Sequence, residues 1–283
     1  MAQVINTNVM SLNSQRVLMN SSNSMATSLE RLSSGLRINR AKDDAAGLAI
    51  AQRFTSQIRG LEQANRNAND GISLLQTAEG ALDEVANMLQ RMRELSVQAM
   101  NGTVSNSDRA SLNDEYQELR LEMERVFDST EFNGTNLLGT AASLTMQVGF
   151  KAGASYQIKV STINVGGAGN ASGGISFVVA STASRAITTT SKASFMLSKL
   201  DAAIDNISAK RAEFGAKQNR LEATVRNNAN VIENQSAARS RVMDTDFAAE
   251  TANLTRTQIL QQAGTAMLAQ ANSLPQNVLS LLR

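Results

Sequence analysis

The end of the chain sets the tightest constraint on what it can fold into. Between Thr257 and Leu282 there is no Asp, Glu, Lys or Arg. Apolar side chains nevertheless recur there at helical intervals. Leu260, Met267, Leu274 and Leu281 stand seven apart, and Gly264, Ala271 and Val278 repeat the interval on an adjacent line. Such a repeat keeps one narrow stripe on one side of a helix. The remaining positions are mostly amides and hydroxyls, such as Gln258, Gln261, Gln262, Gln270 and Gln276. A helix at a chain end frays unless something holds it, and one so poor in charge is not soluble by itself. The stripe therefore requires a cover.

The beginning of the chain offers one. Leu18, Met25 and Leu32 are seven apart, Leu29 and Leu36 fall on a complementary line, and Ser22 takes the skipped place. The spacing predicts a helix over roughly residues 8–34, stopped by Gly35. Two seams of similar length are expected to pair within one molecule. Narrow stripes cover each other only in part, and the outer faces stay poor in charge.

Composition limits the rest. One Pro in 283 residues, 42% hydrophobic residues and only 4% aromatic ones favour long uninterrupted helices with an aliphatic core. The chain has no His and no Cys. That excludes zinc sites, thiol nucleophiles, His general bases and His-Asp triads, so no catalytic, cofactor or metal site is expected. Basic and acidic residues nearly balance, 27 against 25, without the basic, aromatic face of a nucleic-acid binder. The first eight residues, from Met1 to Asn8, carry no basic region and no apolar run, so a Sec signal peptide is not expected. No stretch has the apolarity of a membrane span.

Read in order, residues 37–47 break the period and form a linker, with Asp43 or Asp44 capping the helix that begins at Ala45. From Leu61 the positions Ala64, Ala68, Gly71, Leu75, Ala78, Leu82, Val85, Leu89, Met92 and Ala99 keep 3-4 spacing, a helix of about 35 residues or 50 Å. Asn101-Gly102 ends it, Ser105 or Ser107 caps the next, and Leu112, Tyr116, Leu119, Met123 and Val126 carry the pattern on until Phe132-Asn133-Gly134. Alternation then predicts strands at 144–148, 156–160 and 175–179, with a Gly-rich loop at 166–174. Helix returns with Leu197, Leu200, Ile204, Ile207, Phe214, Leu221, Val225 and Ile232. A second polar linker follows at 233–246. The expected architecture is mainly α, a nested antiparallel bundle of long helices with a small β-hairpin region mid-chain. Its expected parts are 1–36 with 247–283, the linkers 37–47 and 233–246, a rod of 48–136 with 191–232, and the β region 137–190.

The residues at both ends resemble bacterial flagellin. Ala2-Gln3-Val4-Ile5-Asn6-Thr7-Asn8, Glu30-Arg31-Leu32-Ser33-Ser34-Gly35-Leu36-Arg37-Ile38-Asn39 and Ala41-Lys42-Asp43-Asp44-Ala45-Ala46-Gly47 carry the likeness at the start, and Asn65-Arg66-Asn67-Ala68-Asn69-Asp70-Gly71 continues it. Gln258-Ile259-Leu260-Gln261-Gln262-Ala263-Gly264 and Pro275-Gln276-Asn277-Val278-Leu279-Ser280-Leu281-Leu282-Arg283 carry it at the end. The likeness covers 1–140 and 190–283, and the middle is short for the family. It implies a subunit of the bacterial flagellar filament, a homo-polymer with no enzymatic activity, lying outside the cell. In such proteins the paired terminal helices form the inner tube and are disordered in the free monomer. Here they imply a self-assembly seam of Leu18, Met25, Leu29, Leu32, Leu36, Leu260, Met267, Ala271, Leu274, Val278 and Leu281. Export unfolded through the flagellar type III apparatus, an export chaperone on the C-terminal segment, and contacts with cap and hook–filament junction proteins are likewise implied.

The segment Gln90-Arg91-Met92-Arg93-Glu94-Leu95-Ser96-Val97-Gln98 is similar to the stretch read by the vertebrate Toll-like flagellin receptor. Arg91, Leu95 and, on the next helix, Glu115 match the positions that matter there. Met92 falls on the apolar seam of its helix, whereas Arg91 and Leu95 are expected off it. A third reading, a metalloprotease-like enzyme, fails because the chain has no His for an H-E-x-x-H motif, and two rival readings remain at this level. One is a hook–filament junction protein, which shares the terminal seams; the other is a membrane-active amphipathic protein, disfavoured by amides where an interfacial helix has Lys.

Overall fold

The computed structural model describes residues 7–139, 143–162, 178 and 186–281, with side chains of the last helix through Ser273. The expected strand at 175–179 and the Gly-rich loop fall outside these residues, apart from Val178, which is buried. Five α-helices dominate: α1 (Val9–Ser34), α2 (Ala45–Met100), α3 (Asn106–Ser129), α4 (Thr190–Met243) and α5 (Phe247–Leu281). The chain divides into two compact units, Arg59–Ile232 and the end segments Met1–Ile58 with Glu233–Arg283.

Within 59–232, the core is the one the 3-4 spacing predicts. Leu75, Leu82, Leu89 and Met92 of α2, Tyr116 and Met123 of α3, and Leu200, Ile207, Phe214 and Leu221 of α4 are all within 1% of full burial. Ser96, the polar insertion, is also fully buried and gives its hydroxyl to the Met92 carbonyl at 2.8 Å. That local bond removes the cost of its burial. Where α2 ends, Arg109 of α3 reaches back, its Nε donating to the Ala99 carbonyl (2.8 Å) and Nη2 to that of Asn101 (3.0 Å). A cation on the last carbonyls satisfies acceptors that a helix end leaves free and opposes the helix dipole. Ser105 caps α3 in a capping box with Asp108.

After α3, Asn133 and Gly134 turn the chain with φ of 50° and 73°, joining β1 (Glu131–Phe132) to β2 (Thr135–Asn136) as an antiparallel pair. Asn-Gly at two positive-φ positions is the strongest short hairpin signal, so the expected helix stop is also a hairpin turn. The next hairpin falls where alternation predicts it, β3 (Ser143–Gln147) pairing with β4 (Gln157–Ser161). It is held against the helices by two side-chain amides. Asn67 of α2 donates to the Gln147 carbonyl and Asn228 of α4 to that of Val148, each at 3.1 Å. Close approach needs Gly60 in α2, where a Cβ would stand 2.8 Å from that of Phe150.

Two expectations are revised. The helix expected to begin at Ala45 and the one expected over about 35 residues from Leu61 are a single helix, α2, 56 residues long; Asp44 Oδ1, accepting from the Gly47 N–H at 2.8 Å, starts it, and no Pro breaks it. The segment 233–246 is helical as far as Met243. Its composition is polar, but Ala, Arg, Gln and Ser sustain a helix, and neither Gly nor Pro interrupts it. The polar stretch is thus a continuation of α4.

Candidate assembly surface of the terminal helices

The end segments form their own arrangement. Gly35 ends α1 at φ 71°, as the sequence predicts, and Asn8 caps its start through its side chain. The chain then turns through 36–44, where Asp43 Oδ2 accepts from the N–H groups of Asn39 (3.2 Å) and Arg40 (2.9 Å). The backbone bond from Arg40 is the main cause holding the Asp43 carboxyl below its ordinary range. Residues 35–37 and 243–245 are laced together: Arg37 N–H donates to the Met243 carbonyl at 2.6 Å and Thr245 N–H to that of Gly35 at 3.0 Å. This bridge sets α1 and α5 side by side. Arg31 and Glu250 add an ion pair at 3.6 Å, with the Glu250 side chain 9% exposed.

The two helices pair, but not along the lines expected. Facing inward on α1 are Ser11, Ser14, Leu18, Ser21, Met25, Ser28 and Leu32, at strict 3-4 spacing; Ser11, Ser21 and Ser28 are the most deeply covered. Facing inward on α5 are Glu250, Leu254, Thr257, Gln261, Gly264, Leu268 and Ala271. More than half of this seam is small or polar, so the helices approach closely. A Cβ on Gly264 would stand 3.3 Å from Leu18 Cδ1, and Ser21 Oγ donates to the Thr257 carbonyl at 3.2 Å. The large apolar side chains of the seam, such as Leu18 and Leu268, are set against small ones, and many others lie outside it.

Of the seam residues read from the sequence, Leu18, Met25, Leu32 and Leu36 are half-buried and Ala271 is buried. Leu29, Leu260 and Met267 are 49%, 50% and 63% exposed. They are not part of the intramolecular pair. The side chains of Leu274, Val278 and Leu281 lie outside the described residues. Val9, Met10, Leu12, Val17 and Met19 join the exposed group on α1, and Ile259 joins it on α5. Met10 with Val17, and Leu12 with Met19, repeat the same seven-residue interval. Sequence reasoning missed these lines on α1, although the spacing was legible. It ranked stripes by apolarity, and the face that mates inside the molecule is the less apolar one.

Elsewhere, Arg91 and Glu115 are brought together at 2.8 Å, with Glu94 also on the Arg91 guanidinium at 3.0 Å. The Glu115 hydrogen bond is the first cause raising the Arg91 pKa. Leu95 is not with them at the surface. It is fully buried beside Met92, because positions three apart on a helix share a face. Among the described residues no cluster of acidic side chains could hold a metal ion, and no helix is long and apolar enough to cross a membrane.

The terminal helices thus pair through a seam rich in small residues and leave large apolar side chains exposed, as surfaces that meet other molecules do. Comparison with known proteins places the chain in a family. Residues 5–143 match the bacterial flagellin N-terminal helical region, and 197–282 match the bacterial flagellin C-terminal helical region. The chain is 47% identical to a flagellin of Halalkalibacterium halodurans over 281 residues, covering 99% of this chain and all of that one. It is 45% identical to the flagellin of Bacillus subtilis, covering 99% of each. A solved Vibrio parahaemolyticus structure assigned to the flagellar hook-associated proteins shares the fold, with TM-score 0.59 at 14% identity, covering 71% of this chain and all of that one. The chain belongs to the bacterial flagellin family. It is a structural subunit of the flagellar filament, an extracellular polymer of such subunits.

Proposed function

We propose that the subunit assembles through the outer faces of α1 and α5, which neighbouring copies cover. The observation that carries this is the inversion within the pair: serines and glycine face inward while Met267 is 63% exposed on a stretch without charge. Burying such side chains contributes about 1.5–3 kcal/mol each, so the stability of the terminal pair comes largely from copies bound beside it. Export of the chain unfolded through the flagellar type III apparatus precedes assembly. A chaperone receives the charge-free stretch 257–282 in an apolar groove, and junction and cap proteins bound the filament below and above. A Toll-like flagellin receptor would read the Arg91–Glu115 face, with Leu95 supporting that face from inside rather than touching the partner.

The test is seeded polymerisation of the full chain followed by electron microscopy. Met267→Asp places a charge in an interface, at a cost of several kcal/mol unless it is relieved. Filaments should be lost while the unfolding transition of 59–232 is unchanged. Normal filaments from Met267→Asp and Leu260→Asp, or recruitment of the parent chain to liposomes without polymerisation, would overturn the proposal.

A further inference from the structure

The chain's one proline stands where a proline is least tolerated. Pro275 lies inside α5, which continues to Leu281. A proline within a helix has no N–H for the carbonyl four residues earlier, and its ring crowds that carbonyl. The carbonyl here belongs to Ala271, a buried residue of the inward seam. It is not left unpaired. Nδ2 of Asn8, from the other end of the chain, donates to it at 2.7 Å. Through Oδ1 the same side chain accepts from the Ser11 N–H at 3.1 Å and so caps α1.

We infer that Asn8 and Pro275 form one latch. The proline frees the Ala271 carbonyl as an acceptor, and Asn8 supplies the missing donor while starting α1, so the first turn of α1 and the last turns of α5 order together. The residue types agree with both roles. Ser, Thr or Asp at position 8 would also cap, but Asn presents a capping oxygen and a pair of donors on one rigid group. The seam needs such a latch because its pattern repeats. Sliding α1 by seven residues exchanges Leu18 for Met25, Met25 for Leu32, Ser14 for Ser21 and Ser21 for Ser28, like for like, and is opposed in the seam only at Ser11, whose place Leu18 would take. A periodic seam of this kind specifies register weakly, and polar contacts set it. The bridge between 35–37 and 243–245 and the Arg31–Glu250 ion pair fix one end of the helix pair, and the Asn8 latch fixes the other.

The test uses four full-length chains: the parent, Asn8→Asp, Pro275→Ala and the double variant. Asp keeps the cap but turns an oxygen toward the Ala271 carbonyl; the Pro275→Ala change restores the N–H that the carbonyl lacks. Two quantities are measured on each chain, amide hydrogen exchange of peptides covering 271–281 and the critical concentration for polymerisation. The second rests on the assembly proposal; the first does not. With Pro275 in place, Asn8→Asp should accelerate exchange and raise the critical concentration about tenfold, the scale of one buried acceptor left unmade. In the Pro275→Ala background the same change should have less than about a twofold effect. Equal changes in both backgrounds, or none in either, overturn the latch. If even the parent fails to polymerise, the assembly proposal falls and the exchange data alone decide the latch.

Discussion

The two units bury opposite kinds of residue. In 59–232, Leu82, Leu89, Tyr116 and Phe214 are buried to within 1%, and the few buried polar residues, such as Ser96 and Asn228, are hydrogen-bonded. In the terminal pair, Ser11, Ser21, Ser28 and Glu250 are under 10% exposed, whereas Val9, Met19, Leu260 and Met267 are exposed by half or more. The first is an ordinary hydrophobic core, complete within one chain. The second has the close-packed, small-residue contact that lets two helix backbones approach, and its apolar area lies outside. The lesson is that apolar periodicity predicts a helix and a buried face, without saying which molecule does the burying.

The comparison breaks if the two units respond alike to loss of a core side chain. Leu82→Ala removes a fully buried side chain from the middle of α2 and should cost about 2–5 kcal/mol, read from denaturant unfolding of the full chain. A loss below about 1 kcal/mol would mean that this core yields as an exposed face does.

Gly264→Leu probes the other unit. A Cβ there would already meet Leu18 Cδ1 at 3.3 Å, so a larger side chain must push α1 and α5 apart, at about 1–3 kcal/mol. The temperature at which filaments dissociate should fall, while unfolding of 59–232 stays where it is. If instead filaments are as heat-stable as the parent's, the close approach is not retained in the polymer.

Most of the fold was legible because the helical period is a property of the residues themselves. The caps at Asn8, Asp44 and Ser105, the stops at Gly35 and Asn101, and the β3–β4 alternation could all be read locally. What escaped is what depends on a second element. Leu95 looks peripheral from the α2 spacing and is buried by the helices around it. Arg109 reads as a surface charge until the Ala99 and Asn101 carbonyls are placed beside it. In the terminal pair, the serine line carried the contact, and a reading that weighs Leu over Ser could not favour it. The Asn133-Gly134 turn is different, since its signal was local and was read too coarsely.

Acid offers the smallest effect and the finest distinction. Among the described residues of 59–232, three carboxyls are held below their ordinary range: Glu213 first by hydrogen bonds from Lys210 and Lys217, Asp108 by those from Ser105, and Glu122 by that from Arg125. In the end segments only Asp43 is so held among the described residues. A depressed folded-state pKa contributes stability above the unfolded-state value, and that contribution disappears as pH falls through the folded one. Below pH 4.5, the ordinary value for Glu213, the unfolding midpoint of 59–232 should therefore decline with acid, and Glu213→Gln should make the decline shallower. The Glu213 side chain is 36% exposed, so added salt should shrink the difference between the two proteins. An identical acid slope with and without the Glu213 carboxylate at low salt would show that the Lys210–Glu213–Lys217 cluster is an arrangement of surface charges with no hold on the helix beneath it.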